Sequence, residues 1–427
     1  MVAMLATALA AMAETHYVGQ LGLSALAGMA LVFPFVMLQA MMSAGAMGGG
    51  VSSAISRALG AGDAKVANAL VVHALWIGVA AGAIFMALMA FLGPAMMTAL
   101  GGQDEALQQA VAYGEVAFAG SIFVWVVNLL AAAIRGSGNM RVPSLTLFGL
   151  ALGQVLLGGA LGLGWGPFPA WGMQGVAAGG VLANALGAVF LGGYLLSGRG
   201  GLHLHLLRTR LAGEHLMAIL RVGAVACISP LQTVLTVLIL TRLVASFGTE
   251  ALAGYGIGTR LEFLLVPIAF AVGVASVPMV GMAMGAGLVA RARRAAWTAA
   301  ALATALLGAL GLVVTLAPDV WTTLFSQDPS VLQSARSYFL WAGPFYGFFG
   351  LGLSLYFSSL GAGKALGPVL AGTLRLAVVA LGGAWLAHEQ APAWTIFALV
   401  GAGMAVYGLS TWLIVWRTRW GSAPPKA

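Results

Sequence analysis

Two glutamates carry the chemistry this sequence offers. Glu262 stands about eleven residues into an apolar stretch from 251 to 283, which on a helix rising 1.5 Å per residue is roughly 16 Å deep. Glu14 lies near the end of an apolar N-terminal segment. A carboxyl surrounded by hydrocarbon is costly to ionise, so Glu262 is expected to hold a proton and to release it when water or a cation arrives. That property suits an ion-coupling group. Two plainer readings stay open: Glu262 as a structural carboxyl, neutral or paired with the distant Arg375, and Glu14 as an interfacial carboxyl in contact with water. Arg260 is a poor local partner for Glu262, because residues two apart on a helix do not share a face. Arg260, Gln232, Tyr255, Phe263 and Tyr346 are candidates to line a substrate cavity. Pro34, Pro230 and Pro267 are candidate kinks, and Pro267 also removes a helix hydrogen bond five residues past Glu262, freeing backbone carbonyls toward a cation.

Catalytic and metal chemistry find no support. There is no H-E-x-x-H and no nucleophile with an adjacent base, and the single cysteine, Cys227, rules out an intrachain disulfide and a multi-cysteine metal site. The segment Gly361 to Lys364 reads GAGK, but Ser358 stands where a phosphate-binding loop needs its first glycine and Ala365 follows the lysine. No enzyme, cofactor or metal is therefore expected; the one inorganic participant is a coupling ion, proton or sodium.

The elements that must position these residues are membrane helices. With 61% hydrophobic and 7% charged residues among 427, the chain cannot clothe a water-soluble globule, and lipid must be its solvent. Eleven stretches are long enough to cross about 30 Å of hydrocarbon: near 23–53, 68–95, 107–133, 143–163, 173–197, 215–246, 251–283, 295–317, 331–358, 366–387 and 393–416. A short one at 1–15 makes twelve. Fifteen of the 19 basic residues, among them Arg57, Lys65, Arg135, Arg141, Arg208, Arg291, Lys364, Arg417 and Lys426, fall in alternate connections or the C-terminal tail. The other connections hold only acids such as Asp104, Glu250 and Asp319. Retention of Lys and Arg on the cytoplasmic side then places both termini there, in an inner membrane. The net charge of +8 belongs to this pattern, since no basic run is interleaved with aromatics, and nucleic acid is not an expected partner.

The chain also repeats itself. ALGAGDAKVANA from Ala58 matches AMGAGLVARARRA from Ala283, and RGSGNMRVP from Arg135 matches LGAGKALGP from Leu360, both at an offset of 225. Six crossings return the chain to the same side, so the halves are parallel repeats. The expected division is a six-helix lobe at 1–197, a basic cytoplasmic linker at 198–214, a second six-helix lobe at 215–416 and a tail at 417–427. GAGD, GSGN, GAGL and GAGK are read as tight turns with glycine at positive φ. Under this repeat the first helix is about half a span shorter than its counterpart. Either the segment is a signal peptide ending in ALAAMA, though without a basic n-region, or the natural start lies upstream of Met1, or a truncated helix relies on its neighbours.

Over nearly its whole length the sequence resembles the multidrug and toxic compound extrusion (MATE) family. The resemblance is carried by AETHYVGQLGLSALAG, SSAISRALGAGDAKVANA, IRGSGNMRVPSL, GTRLEFLLVPIAFAVG and SLGAGKALGPVL. It implies an all-α membrane protein of twelve helices in two six-helix lobes with a central cavity, exporting small, lipophilic, cationic organic compounds as a monomer by antiport with protons or sodium. A flippase for a lipid-linked saccharide is the alternative within the wider superfamily. The resemblance further implies that Glu14 is the N-terminal-lobe ion-coupling acid, with Asn128 and Gln154 as its hydrogen-bond partners. Gly158 stands where that subgroup carries a further Asp. Pro230 and Gln232 stand where other members carry a Glu near a proline, which leaves Glu262 as the C-terminal coupling group.

Overall fold

The computed structural model describes residues 2–205 and 210–421, all of them helix, turn or loop. Arg208 and Lys426, part of the expected charge pattern, lie outside the described residues. By contacts the chain divides into two compact units, Met1–Gly223 and Ala224–Ala427.

In the first unit, α1 (Val2–Gln20) is followed by α2 (Leu23–Ala40), a π-helical turn (Met41–Met47) and α3 (Gly48–Gly60) in one rod, then by α4 (Ala64–Ala99), α5 (Asp104–Ala119), α6 (Ser121–Gly136), α7 (Arg141–Leu163), α8 (Gly172–Leu196) and α9 (Gly213–Ala226). The second unit holds α10 (Ile228–Ala245), α11 (Thr249–Gly285), α12 (Val289–Leu316), the short α13 (Asp319–Thr322), α14 (Pro329–Ala342), a 3-10 turn (Gly343–Phe345), α15 (Tyr346–Gly361), α16 (Leu366–His388) and α17 (Ala393–Arg417). Among the described residues nine rods are long and apolar enough to cross a membrane, and the bent α5–α6 pair makes ten. With α1 and the α14–α15 pair the passes number twelve.

The internal repeat is visible in the helix boundaries. α4, α5, α6 and α7 begin 225 positions before α12, α14, α15 and α16, and α6 and α7 also end 225 before α15 and α16. Each of the four Gly-x-Gly turns puts its second glycine at positive φ: Gly62 at 79°, Gly138 at 87°, Gly287 at 72° and Gly363 at 74°. A Cβ is strained there, which is why these connections keep glycine. Capping residues set other helix starts. Asp63 accepts from the Val66 N–H at 2.9 Å, and Asp328 accepts from Ser330 at 2.8 Å ahead of Pro329.

Two expectations are corrected, the length of the first helix and the single span at 107–133. The first helix runs to Gln20 and has 19 residues, longer than the expected 1–15 segment. The division into units falls inside α9, beyond the expected 198–214 linker. That linker is tied to α4 by His203 N–H to Asn68 at 2.9 Å and Ala212 N–H to His73 Nε2 at 2.9 Å, and Gly223 packs on Gly50. The expected single span at 107–133 is broken at Gly120, where α5 and α6 meet at 49°. A Cβ at Gly120 would lie 2.4 Å from Val181, so α8 presses on the bend, and the Gly–Ser pair permits it. Pro34 and Pro267, by contrast, sit inside helices that continue through them; near Pro230 the helix is interrupted at Cys227, three residues earlier.

α7 and α8 cross closely enough to exclude side chains. A Cβ on Gly175 would lie 2.2 Å from the Leu161 carbonyl, and one on Gly179 2.2 Å from the Gly158 nitrogen. Small residues four apart let two helix backbones approach where lipid offers no hydrophobic drive for association. This crossing positions the face of α7 that carries Gln154.

Candidate functional site

Each unit contains a buried carboxyl held by a tyrosine. In the first, Glu14 lies six residues before the end of α1 and is only 4% exposed. Its Oε1 accepts from the Tyr113 hydroxyl of α5 at 3.0 Å, and its Oε2 accepts from the Gln154 amide of α7 at 2.6 Å. Three helices thus converge on one side chain. Tyr17, one turn past Glu14, is buried and directs its hydroxyl at the Gln154 carbonyl, 3.5 Å away. The same hydroxyl stands over Gly158, where a Cβ would approach it to 2.8 Å. Space that a side chain at 158 would take is filled by Tyr17.

Both donors to Glu14 are neutral, and among the described residues no cation lies within ion-pair distance of it. Glu14 is therefore not the water-exposed interfacial residue that stood open from sequence. A carboxyl so placed can carry charge or proton without breaking a salt bridge: on protonation the Tyr113 bond can reverse, since a phenol both donates and accepts.

In the second unit Glu262, half-buried on α11, accepts a hydrogen bond from the Tyr338 hydroxyl of α14 at Oε1. Tyr338 is fully buried among aromatics, edge-on to Tyr255 at 5.6 Å, Phe339 at 5.6 Å and Phe397 at 5.5 Å. It also packs over Gly258, where a Cβ would fall 2.2 Å from its ring. The guanidinium of Arg375 on α16 faces the rings of Phe349 and Tyr407, 5.8 Å from each centroid, and makes no ion pair with Glu262. Among the described residues the ion pair within 4 Å is Arg336–Asp319.

The other sequence candidates divide. Gln154 joins Glu14 as expected, whereas Asn128 donates to Ser43 at 2.9 Å, beside the π-helical turn, and is not a partner of Glu14. Tyr255 and Tyr346 are buried in the aromatic core around Tyr338. Gln232 binds across to α16, donating to Thr373 Oγ1 at 2.7 Å. Arg260 is exposed and stacks on Phe325 at 5.1 Å, away from Glu262, and Phe263 is 51% exposed.

Sequence reasoning missed Tyr113, Tyr338 and Tyr17. A signal for the first two was present: they stand 225 positions apart, the repeat offset itself. Tyr17 had none, because nothing local links it to Gly158.

Comparison with known proteins agrees with this architecture. The MatE family model matches residues 1–158 and 226–386. The FAD transporter of Shewanella oneidensis is 26% identical over 77% of this chain and 73% of its own length. A probable multidrug resistance protein, NorM, of Thermotoga maritima is 26% identical over 84% of this chain and 77% of its own length. Among solved structures, a MOP superfamily transporter from Pyrococcus furiosus superposes with a TM-score of 0.89 at 21% identity, covering 97% of this chain and 92% of the other. The match covers both repeats and the helices that hold both tyrosine-bound carboxyls, and the chain belongs to the MatE family of multi-pass membrane transporters.

Proposed function

We propose that this transporter exports lipophilic organic cations in exchange for protons, with Glu14 as the principal coupling group and Glu262 as the second. The carrying observation is the setting of Glu14: buried, with both oxygens bound by neutral donors and no basic partner. Such a group responds to a proton or to a passing cation, which is the exclusive occupancy that antiport needs. The amide N–H on Oε2 occupies space that a sodium ion would fill with an oxygen ligand, which supports the proton over sodium. An inner-membrane location, cytoplasmic termini and a monomeric working unit belong to the same proposal.

A second reading is favoured by Arg375, an intramembrane guanidinium held by aromatic rings with no carboxylate within ion-pair distance among the described residues, and by the relative described as an FAD transporter: export of an anionic aromatic compound. A lipid-flippase reading draws on the same few arginines, of which Arg336 is already paired with Asp319.

The test is ethidium efflux from drug-efflux-deficient bacteria expressing this chain, with proton and sodium gradients imposed separately. Proton-driven efflux that is abolished in Glu14→Gln and reduced in Glu262→Gln supports the proposal. Retained efflux in the Glu14→Gln, Glu262→Gln double variant would sink it, and uptake of flavin nucleotide without ethidium efflux would favour the anionic reading.

A further inference from the structure

A third intramembrane carboxylate, Glu115, has no part in either tyrosine-bound pair. It lies on α5, eleven residues past the helix start at Asp104, about 16 Å along the axis. Its side chain is exposed, and among the described residues it has no hydrogen-bond or ion-pair partner. On a membrane helix, a carboxylate's charge is costly wherever lipid reaches it unless something meets it.

Between α4 and α5 lies a groove of about 550 Å³, walled by Met86, Met89, Phe91, Met97 and Phe118, with Glu115 as its carboxylate. Gly93 on α4 and Gly114 on α5 line it without projecting a side chain into it. Methionine walls deform around differently shaped apolar bodies, and aromatic faces favour a delocalised cation. An acyl chain would fill the apolar part and leave the carboxylate bare.

We infer that the α4–α5 groove is a membrane-facing binding site for a monovalent lipophilic organic cation, with Glu115 as counter-charge and the methionines as its adaptable wall. The inference rests on the cation-export reading and extends it, giving the substrate a place of first capture from the bilayer, separate from Glu14 and Glu262. Its volume accommodates a compound of drug size.

The probe is tetraphenylphosphonium, measured by equilibrium dialysis on purified protein in phosphatidylglycerol-free nanodiscs, with protein-free discs correcting for lipid partition. In the Glu14→Gln, Glu262→Gln background one bound equivalent is expected to remain. Glu115→Gln in that background should weaken it at least tenfold. Ala90→Trp, which fills the groove from its exposed side, should do the same without touching the charge. Glu115→Asp should restore most of the binding. Equal binding in all variants, or no binding above the lipid blank in the background protein, overturns the site. Wild-type protein that binds through Glu115 yet moves no cation in gradient-loaded vesicles would overturn cation export and leave the site standing, so the two failures are distinguishable.

Discussion

The two units solve one problem with different parts. Tyr113 and Tyr338 are repeat-related, and each donates its hydroxyl to the carboxyl of its own unit. The carboxyls are not repeat-related: Glu14 comes from α1, the helix at the start of its unit, while Glu262 comes from α11, whose counterpart is the α2–α3 rod. Glu14 has a second neutral donor in Gln154, whereas Glu262 is held, among the described residues, by Tyr338 alone, with Arg375 beyond ion-pair distance and stacked on aromatic rings. The repeat shares the donor, while the acid comes from a different helix in each unit. A hydroxyl fixed in a packed aromatic core is a general acceptor site for a carboxyl, and several neighbouring helices can deliver one to it.

That comparison can be broken first through the packing that positions Gln154. Gly179→Val should leave little monodisperse protein by fluorescence-detected size exclusion, because its side chain would meet the α7 backbone at 2.2 Å. Near-normal yield would mean that the α7–α8 crossing does not set the unit 1 site. The next largest effect should separate the tyrosines. Tyr338→Phe removes the hydroxyl bound to Glu262 and should lower ethidium efflux about tenfold, in keeping with roughly 1.5–3 kcal/mol for a hydrogen bond to a charged group. Tyr113→Phe leaves Gln154 in place and should cost only about threefold. The reverse order would show that Gln154 does not substitute for the tyrosine.

A smaller change sharpens the account of Tyr17. Gly158→Ala crowds its hydroxyl and should destabilise unit 1 by about 1 kcal/mol, read as a lower Tm with near-normal efflux. Efflux lost at unchanged Tm would instead make Tyr17 part of the coupling machinery. The smallest effect belongs outside both sites. The carboxyl of Asp319 is held below the usual carboxylate range, chiefly by its hydrogen bond from Arg336 at 2.7 Å, with the charge of that arginine adding to it. A depressed carboxyl contributes stability above the ordinary carboxylate pKa, near about 4, and loses it as pH falls through its own lower value. Asp319→Asn should therefore lower Tm slightly at pH 6, less at high salt because both partners are water-exposed and screened, and progressively less as pH falls below the ordinary carboxylate value.

Much of the helix pattern was legible because hydropathy reports length and the Gly-x-Gly turns report backbone φ, both local properties. Gln154 was reachable through family resemblance, as was Glu14. Asn128 was assigned wrongly for a physical reason: a helix position fixes depth but not which neighbour the side chain faces, and the π-helical turn offers Ser43 to it instead. Glu115 stands eight residues into the expected 107–133 stretch, shallower than Glu262 in its own, and only the groove beside it marks it out.

The sequence by itself determined the solvent, the number of passes and the repeat, because composition, apolar length and a constant offset are sums over residues that need no partner. Only the tertiary structure decided which tyrosine meets which carboxyl, that α5 and α6 bend at Gly120, and that Tyr17 stands over Gly158. Those depend on distances between residues 61 to 141 positions apart, which are set by how closely glycine faces let the helices pack.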